Sequence, residues 1–271
     1  MYEVKSVGIE VHARDALSSL ALFVGTGACN ARCSHCAGLI HRRYAPRRDG
    51  EVEEDIVRET LASCYARGAR SLSLSSSGEP TLSPISVTKV LGIAHNLAGM
   101  AYSPINLYSN GIRIGEDKVF CEQYLPRWRG LGLSTIYVTV HDTDERRNAE
   151  VYGVRSYPPF ADVIGRIHDA GLTMRANLLL GKTTICTLDS FVASVTRLRE
   201  IGADSISAWP LRDINDRLDY DSLPEELPQM WMWAAENGVR LLAEESHDMY
   251  ASGKKLTLFP DGTLSGNWCS R

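Results

Sequence analysis

The chain has 271 residues, of which 44% are hydrophobic and 23% charged, and it carries a formal net charge of -4. That composition can fill the core of one large α/β domain or two ordinary ones, and it excludes global disorder. No stretch approaches the roughly 18 uninterrupted apolar residues of a membrane span, the first residues do not form a basic-then-apolar leader, and the mild acidity gives no drive toward nucleic acid.

In chain order, short β-type runs alternate with helical patterns. Residues 18–25 form a first apolar strand, and 53–67 a helix with Val57, Leu61 and Cys64 on one face, stopped by Gly68. Residues 70–75 alternate as a half-buried strand. Ser83 then predicts an N-cap, with Pro84 at the first helical position, ahead of a face built from Val87, Val90, Leu91, Ala94 and Leu97. Strands are expected at 105–109 and 135–141, with a short helix near 117–124 between them. The second half repeats the pattern: a helix on Phe160, Val163, Ile164 and Ile167, a strand at 173–180, a helix on Leu188, Phe191, Val195 and Leu198, and a strand at 204–211. A last helix runs from about Pro224 to Gly238, and a hairpin follows around Pro260-Asp261-Gly262, its second strand ending near Trp268.

Unbroken strand–helix alternation predicts parallel strands with right-handed crossovers, closed either as an open doubly wound sheet or as a barrel-like sheet of six units. The expected organisation is an N-terminal extension (1–17), one α/β domain (18–238) and a C-terminal strand and hairpin (239–271).

Three of the seven cysteines, Cys29, Cys33 and Cys36, crowd into eight residues just after the first strand. An odd count with one tight cluster argues for metal binding in a reducing compartment, with the cytosol as default, rather than for a disulfide framework. Loops at the carboxyl ends of parallel strands build active sites, so the triplet lies where chemistry belongs. Three thiolates on a four-iron cluster leave one iron open, whereas a structural zinc site would recruit His35 or His41 as a fourth ligand. Spacing leaves both standing.

Further landmarks follow strand by strand. Ser76-Ser77-Gly78-Glu79-Pro80-Thr81-Leu82 follows the second strand, Ser109-Asn110-Gly111 ends the third, and Tyr137 to His141 forms the fourth. Arg175-Ala176-Asn177 lies on the fifth and Ala208-Trp209-Pro210-Leu211 ends the sixth. Together with CxxxCxxC, this order resembles the radical S-adenosylmethionine (radical SAM) superfamily over residues 18–211, with Ser77 in place of the first glycine of a GGEPTL-type motif.

The resemblance implies a partial (β/α)6 TIM-like barrel with a short C-terminal β-hairpin. It implies one [4Fe-4S] cluster on Cys29, Cys33 and Cys36, whose open iron is chelated by S-adenosylmethionine (SAM). One-electron cleavage then gives a 5′-deoxyadenosyl radical that abstracts a substrate hydrogen. The residues it places around SAM are His35, Ser77, Gly78, Glu79, Pro80, Ser109, Asn110, Thr139, Arg175, Asn177 and Trp209. The tail hairpin resembles the opening of a SPASM or twitch domain, but with Cys269 alone in the tail a second cluster is not expected. Cys64 suits a core position, and Cys121 and Cys186 have no motif around them.

Substrate-side candidates are Arg42 and Arg43 in the basic loop 41–48, Arg212 with Asp213, Asp216 and Arg217 after the sixth strand, and His141. They favour a small metabolite (nucleoside, nucleotide or sugar, phosphorylated or carboxylated) in secondary-metabolite biosynthesis over a peptide. A non-catalytic iron–sulfur or zinc protein is the alternative of another class. The expected partner is an external one-electron reductant such as flavodoxin or ferredoxin; no membrane or nucleic-acid partner is expected.

Overall fold

Alternation within the strands decides how this sheet is covered. The computed structural model describes residues 17–36, 38, 48–212, 218–241 and 249–266. Its strands are β1 (Ser19–Phe23), β2 (Ser71–Ser75), β3 (Ile105–Ser109), β4 (Leu133–Val140), β5 (Thr173–Leu180), β6 (Ser205–Pro210), β7 (Arg240–Leu241), β8 (Lys255–Leu258) and β9 (Leu264–Ser265). Its helices are α1 (Glu54–Ala66), α2 (Pro84–His95), α3 (Ile112–Glu116), α4 (Lys118–Gly130), α5 (Glu145–Tyr152), α6 (Phe160–Asp169), α7 (Leu188–Glu200) and α8 (Leu227–Glu236), with a 3-10 turn at Pro80–Leu82.

All nine strands form one sheet in the order β7-β6-β5-β4-β3-β2-β1-β8-β9. Every neighbouring pair is parallel except the β8–β9 hairpin. One face carries Leu20 and Leu22, Leu72 and Leu74, Leu107, Ile136 and Val138, Ala176 and Leu178, all buried in a single core with the helices. Each fully buried leucine there contributes on the order of 1.5–3 kcal/mol of apolar transfer free energy. The opposite face carries Ser73, Ser75, Tyr108, Thr139, Asn177 and Trp209, which line a cavity. A doubly wound sheet buries both faces under helices and reads as continuous apolar runs. Here one face is polar and turned inward, so the open sheet is a partial barrel.

Four departures from the sequence expectations have local causes. Ser83 precedes α2 but makes no cap; its Oγ accepts from the Thr26 backbone N–H at 3.2 Å. Asp49 caps the helix instead, accepting from Ser86 N at 2.9 Å and Ile85 N at 3.3 Å. The helix expected near 117–124 runs on through Pro126 to Gly130, preceded by the separate turn of α3. Helix α5, whose sequence ERRNAEVY has little apolar periodicity, starts on Asp144, which accepts from Arg147 N at 2.9 Å. The tail strand β8 pairs with β1, Ser19 opposite Lys255 and Leu22 opposite Leu258, and so extends the barrel wall. Among the described residues, no helix is long and apolar enough to cross a membrane.

Leu107 is fully buried on central strand β3. Leu107→Ala should destabilise the protein by about 2–5 kcal/mol, measured as a lower midpoint of denaturant unfolding with an unchanged slope.

Candidate active site

The loop that leaves β1 is held from three directions. Val24 N donates to Ser75 O at 2.7 Å, Glu79 N to Ala28 O at 2.8 Å, and Arg32 N to Tyr152 O at 2.7 Å. The loop after β2 therefore lies directly under the cysteine loop. A Cβ on Gly78 would sit 2.1 Å from Ala28 O and 2.4 Å from Gly27 O, so only glycine permits this backbone contact. A Cβ on Gly38 would likewise meet Ser77 O at 2.4 Å, which makes the contribution of Ser77 here a backbone one.

Glu79 joins the ends of β2 and β3. It is 2% exposed. Its Oε1 accepts from Thr81 N at 3.0 Å, Thr81 Oγ1 at 2.8 Å and Ser109 Oγ at 2.9 Å; its Oε2 accepts from Asn110 N at 2.7 Å. Burial pushes its carboxyl above the usual range, and these donors oppose that shift. Asn110 carries the connection onward. Its Nδ2 donates to Asn30 Oδ1 at 2.7 Å and reaches Cys29 Sγ at 3.9 Å, while its Oδ1 accepts from Ile112 N at 3.0 Å.

Cys29, Cys33 and Cys36 line one cavity of about 390 Å³ together with Gly78, Glu79, Pro80, Ser109, Asn110, Thr139, Asn177 and Trp209. His35, His141 and Arg212 line it as well. Burial, followed by the neighbouring thiols Cys36 and Cys29, pushes Cys33 up to about 12. Cys29 is raised by burial and by Glu79 and Cys36, while the Ala31 backbone and Asn110 oppose the rise. Thiols that hinder one another's ionisation are relieved by a bound cation, which is the chemistry of a thiolate metal site. Among the described residues, no three His, Cys, Asp or Glu side chains are gathered closely enough to hold a single metal ion. Three thiols lining one cavity match the ligand count of an iron–sulfur cluster that keeps one iron open.

His141 is 2% exposed. Its backbone N donates to Asn148 Oδ1 at 2.9 Å, its Nδ1 lies 3.3 Å from His35 Nε2, and its ring packs edge-on against Tyr152 at 4.4 Å. Its Nε2 is buried without a hydrogen-bond partner, as is the indole Nε1 of Trp209. Both belong to cavity-lining residues, and buried polar atoms of this kind call for a bound group. Asn177 Oδ1 accepts from Ser207 Oγ at 2.6 Å. Arg175 is not brought to the cavity with them. It sits one pleat nearer the amino end of β5, its Nε donating to Ser207 Oγ at 3.0 Å and its guanidinium lying 4.5 Å from the centre of the Tyr137 ring.

Arg42, Arg43, His41, Asp213, Asp216, Arg217 and Cys269 lie outside the described residues. Cys64 is fully buried in the core, as its helix face implies, and Cys121 is also buried, its Sγ donating to Ile114 O at 3.2 Å. Sequence reasoning missed Tyr152, Tyr250 and Lys255. Tyr152 caps the loop contact with Arg32 and donates from its hydroxyl to Thr139 O at 2.8 Å. The only sequence signal for Lys255 is its alternation with Leu256 and Leu258 in β8, which puts it on the inner face.

Two outcomes follow. Gly78→Ala should displace the cysteine loop, giving near-wild-type far-UV circular dichroism but severalfold less iron retained after anaerobic reconstitution. Burial, with His35 second, holds His141 down to about 3, so between its ordinary value of 6.5 and about 3 the unfolded chain binds the extra proton. The stability that this difference confers is present above pH 6.5 and is lost as pH falls toward 3; His141→Phe should flatten that part of the pH profile of the urea midpoint.

Residues 23–195 match the family model described as the Radical SAM superfamily. The GTP 3′,8-cyclase of Klebsiella pneumoniae is 27% identical over 170 residues, covering 62% of this chain and 48% of the relative, so the chain spans about half the length of the curated relatives it matches. The crystal structure of Streptococcus suis SuiB bound to S-adenosylmethionine shares the fold, with a TM-score of 0.67 at 15% identity over 93% of this chain and 61% of that one. Native anSMEcpe with bound AdoMet does so with a TM-score of 0.61 at 15% identity, over 93% and 74% of the two chains. The family match covers well over half of the sequence and spans the cysteine loop, the Gly78–Glu79 turn and the ends of β3 and β4: the chain belongs to the radical SAM superfamily of enzymes, whose cofactors are a [4Fe-4S] cluster and S-adenosylmethionine.

Proposed function

We propose that this chain is a radical SAM enzyme that activates a C–H bond of a small metabolite of the nucleoside, nucleotide or sugar class. The observation that carries this reading is one cavity of about 390 Å³, with polar groups set in a largely apolar wall, that reaches from the three cysteines across the inner faces of β1 to β6. That volume suits a small ligand. The curated relatives named GTP 3′,8-cyclase favour a nucleotide within the class.

In this reading Cys29, Cys33 and Cys36 hold the cluster, and Asn110 steadies Cys29 through its 3.9 Å contact. When bound, the cluster and SAM together supply a one-electron cleavage that yields a hydrogen-abstracting 5′-deoxyadenosyl radical. The chain's own part is to position ligands and exclude competing reactions. Trp209 Nε1 offers a buried donor, and His141 Nε2 a donor or acceptor according to tautomer. Gly78, Pro80, Ser109, Thr139 and Asn177 form the SAM side of the cavity, with Glu79 setting the spacing of the two loops beneath it. Phe23, Leu179 and Leu211 make the apolar part of the wall and limit water. The electron comes from an external carrier of the flavodoxin or ferredoxin kind.

Anaerobically reconstituted protein given SAM and dithionite should form 5′-deoxyadenosine, faster with a nucleotide from a panel of nucleosides, nucleotides and sugar phosphates. Cys33→Ala should abolish it. Zinc in place of iron, with no 5′-deoxyadenosine, would end this reading.

A further inference from the structure

The tail strand brings a cation into the cavity. Lys255 and Tyr250 line it beside residues from β1, β2 and β3, although they lie more than 200 residues after the cysteine loop in sequence. Lys255 is fixed by the sheet, opposite Ser19 in the β1–β8 pairing. Its ammonium nitrogen lies 5.2 Å from the centre of the Tyr250 ring, and the Tyr250 hydroxyl is held by Thr257 Oγ1 at 2.9 Å. Strand, ring and hydroxyl form one built unit.

Lys255 has no acidic counterpart among the described residues of the cavity. Among the described residues, Glu79 is the carboxylate that lines it, and its oxygens already accept four hydrogen bonds. Lys255 and Arg212 are the Lys and Arg side chains that line it among the described residues. Among the described residues no carboxylate forms an ion pair with Lys255. Ser19 Oγ is a second pointer to a ligand: Ser19 is 7% exposed, lies on the same face of β1 as the cavity-lining Ala21 and Phe23, and has no hydrogen-bond partner for its buried hydroxyl. A buried ammonium and a neighbouring unpaired hydroxyl are complementary to an anion.

We propose that Lys255 forms a substrate anion subsite on β8, receiving a phosphate or carboxylate group with Ser19 Oγ beside it. The assignment rests on the cavity being the substrate pocket. It adds a residue outside the cysteine and SAM-facing loops, one that holds the end of the substrate remote from the cluster. Burial lowers the Lys255 ammonium to about 8, and a bound anion would offset that desolvation.

The test uses full-length, cluster-loaded protein with SAM. A brief pulse of a neutral amine acylating reagent is followed by peptide mass mapping, with the exposed Lys118 as internal reference (side chain 76% exposed). Inorganic phosphate and acetate are added in separate arms. Protection of Lys255 about tenfold greater than that of Lys118 is expected in at least one arm, and the effective arm tells phosphate from carboxylate. Equal protection of both lysines in both arms overturns the subsite. Lys255→Met should weaken binding of GTP about tenfold but leave guanosine unchanged, and Lys255→Arg should retain GTP binding. GTP binding unaltered in Lys255→Met also overturns it. If phosphate protects Lys255 while no nucleotide binds, the anion subsite stands and the nucleotide class falls.

Discussion

A single carboxylate holds the two halves of this site together. Glu79 collects the Thr81 backbone and hydroxyl, the Ser109 hydroxyl and the Asn110 backbone N–H, and thereby fixes the end of β2 against the end of β3. Its own backbone N–H holds Ala28, so the cysteine loop rests on the same residue. Buried carboxylates are costly unless donors surround them, and here the donors come from the residue's own turn, Thr81, and from Ser109 and Asn110 at the end of β3. The cost of burying the group is therefore tied to the geometry that the cysteines require. Removing the carboxylate would leave several buried donors orphaned at once, which is why this residue acts as a joint between loops rather than as a stand-alone ligand.

The polar inner face is the second constraint. A parallel sheet stabilised only by packing would turn apolar side chains to both sides. In this chain β2 reads Ser-Leu-Ser-Leu-Ser, with the leucines buried in the core and Ser73 and Ser75 on the cavity. The protein thus commits its apolar transfer free energy to one face and leaves the other for ligands. Hydroxyl and amide groups on that face are paired where they can be, as in the chain Arg175 to Ser207 to Asn177. Polar groups remain unpaired at Trp209 Nε1 and His141 Nε2, at the carboxyl ends of the strands, and at Ser19 Oγ, at the amino end of β1. Paired groups make a rigid floor and unpaired ones mark where a guest sits.

How far the sequence disclosed this arrangement depended on whether a signal was local. The strand positions of β3 and β5 and the apolar faces of α6 and α7 follow from periodicity and turn residues, because both are properties of short windows. The cysteine spacing and the Gly78–Glu79 turn were legible for the same reason. Ser83 misled because a serine before a proline is a good cap locally, while its hydroxyl is taken by Thr26 N, 57 residues away. Helix α5 was hidden because its buried face is only Asn148, Ala149 and Tyr152, which support His141 and the Arg32 loop while Ala149 and Tyr152 also join the core. Arg175 falls two residues short of Asn177 along β5, a distinction that a strand motif cannot make without the depth of the barrel.

The position of β8 shows most clearly where local signals end. Nothing in Lys-Leu-Thr-Leu says that it pairs in parallel with a strand whose residues lie 236 positions earlier, as the Ser18 to Lys254 bond does. Such a pairing brings little local reward before the intervening chain has folded, since parallel, long-range contacts carry the loop-closure entropy of everything between them. Its physical justification lies at the edge of the sheet. Without β8 the strand that precedes the cysteine loop would present an unpaired backbone edge to solvent, a liability for aggregation and for the rigidity of the loop itself. With β8 in place, β1 is paired on both sides, and the β8–β9 hairpin becomes the new edge. The last part of the chain thereby stiffens the first, and the same strand that seals β1 adds Lys255 to the cavity wall.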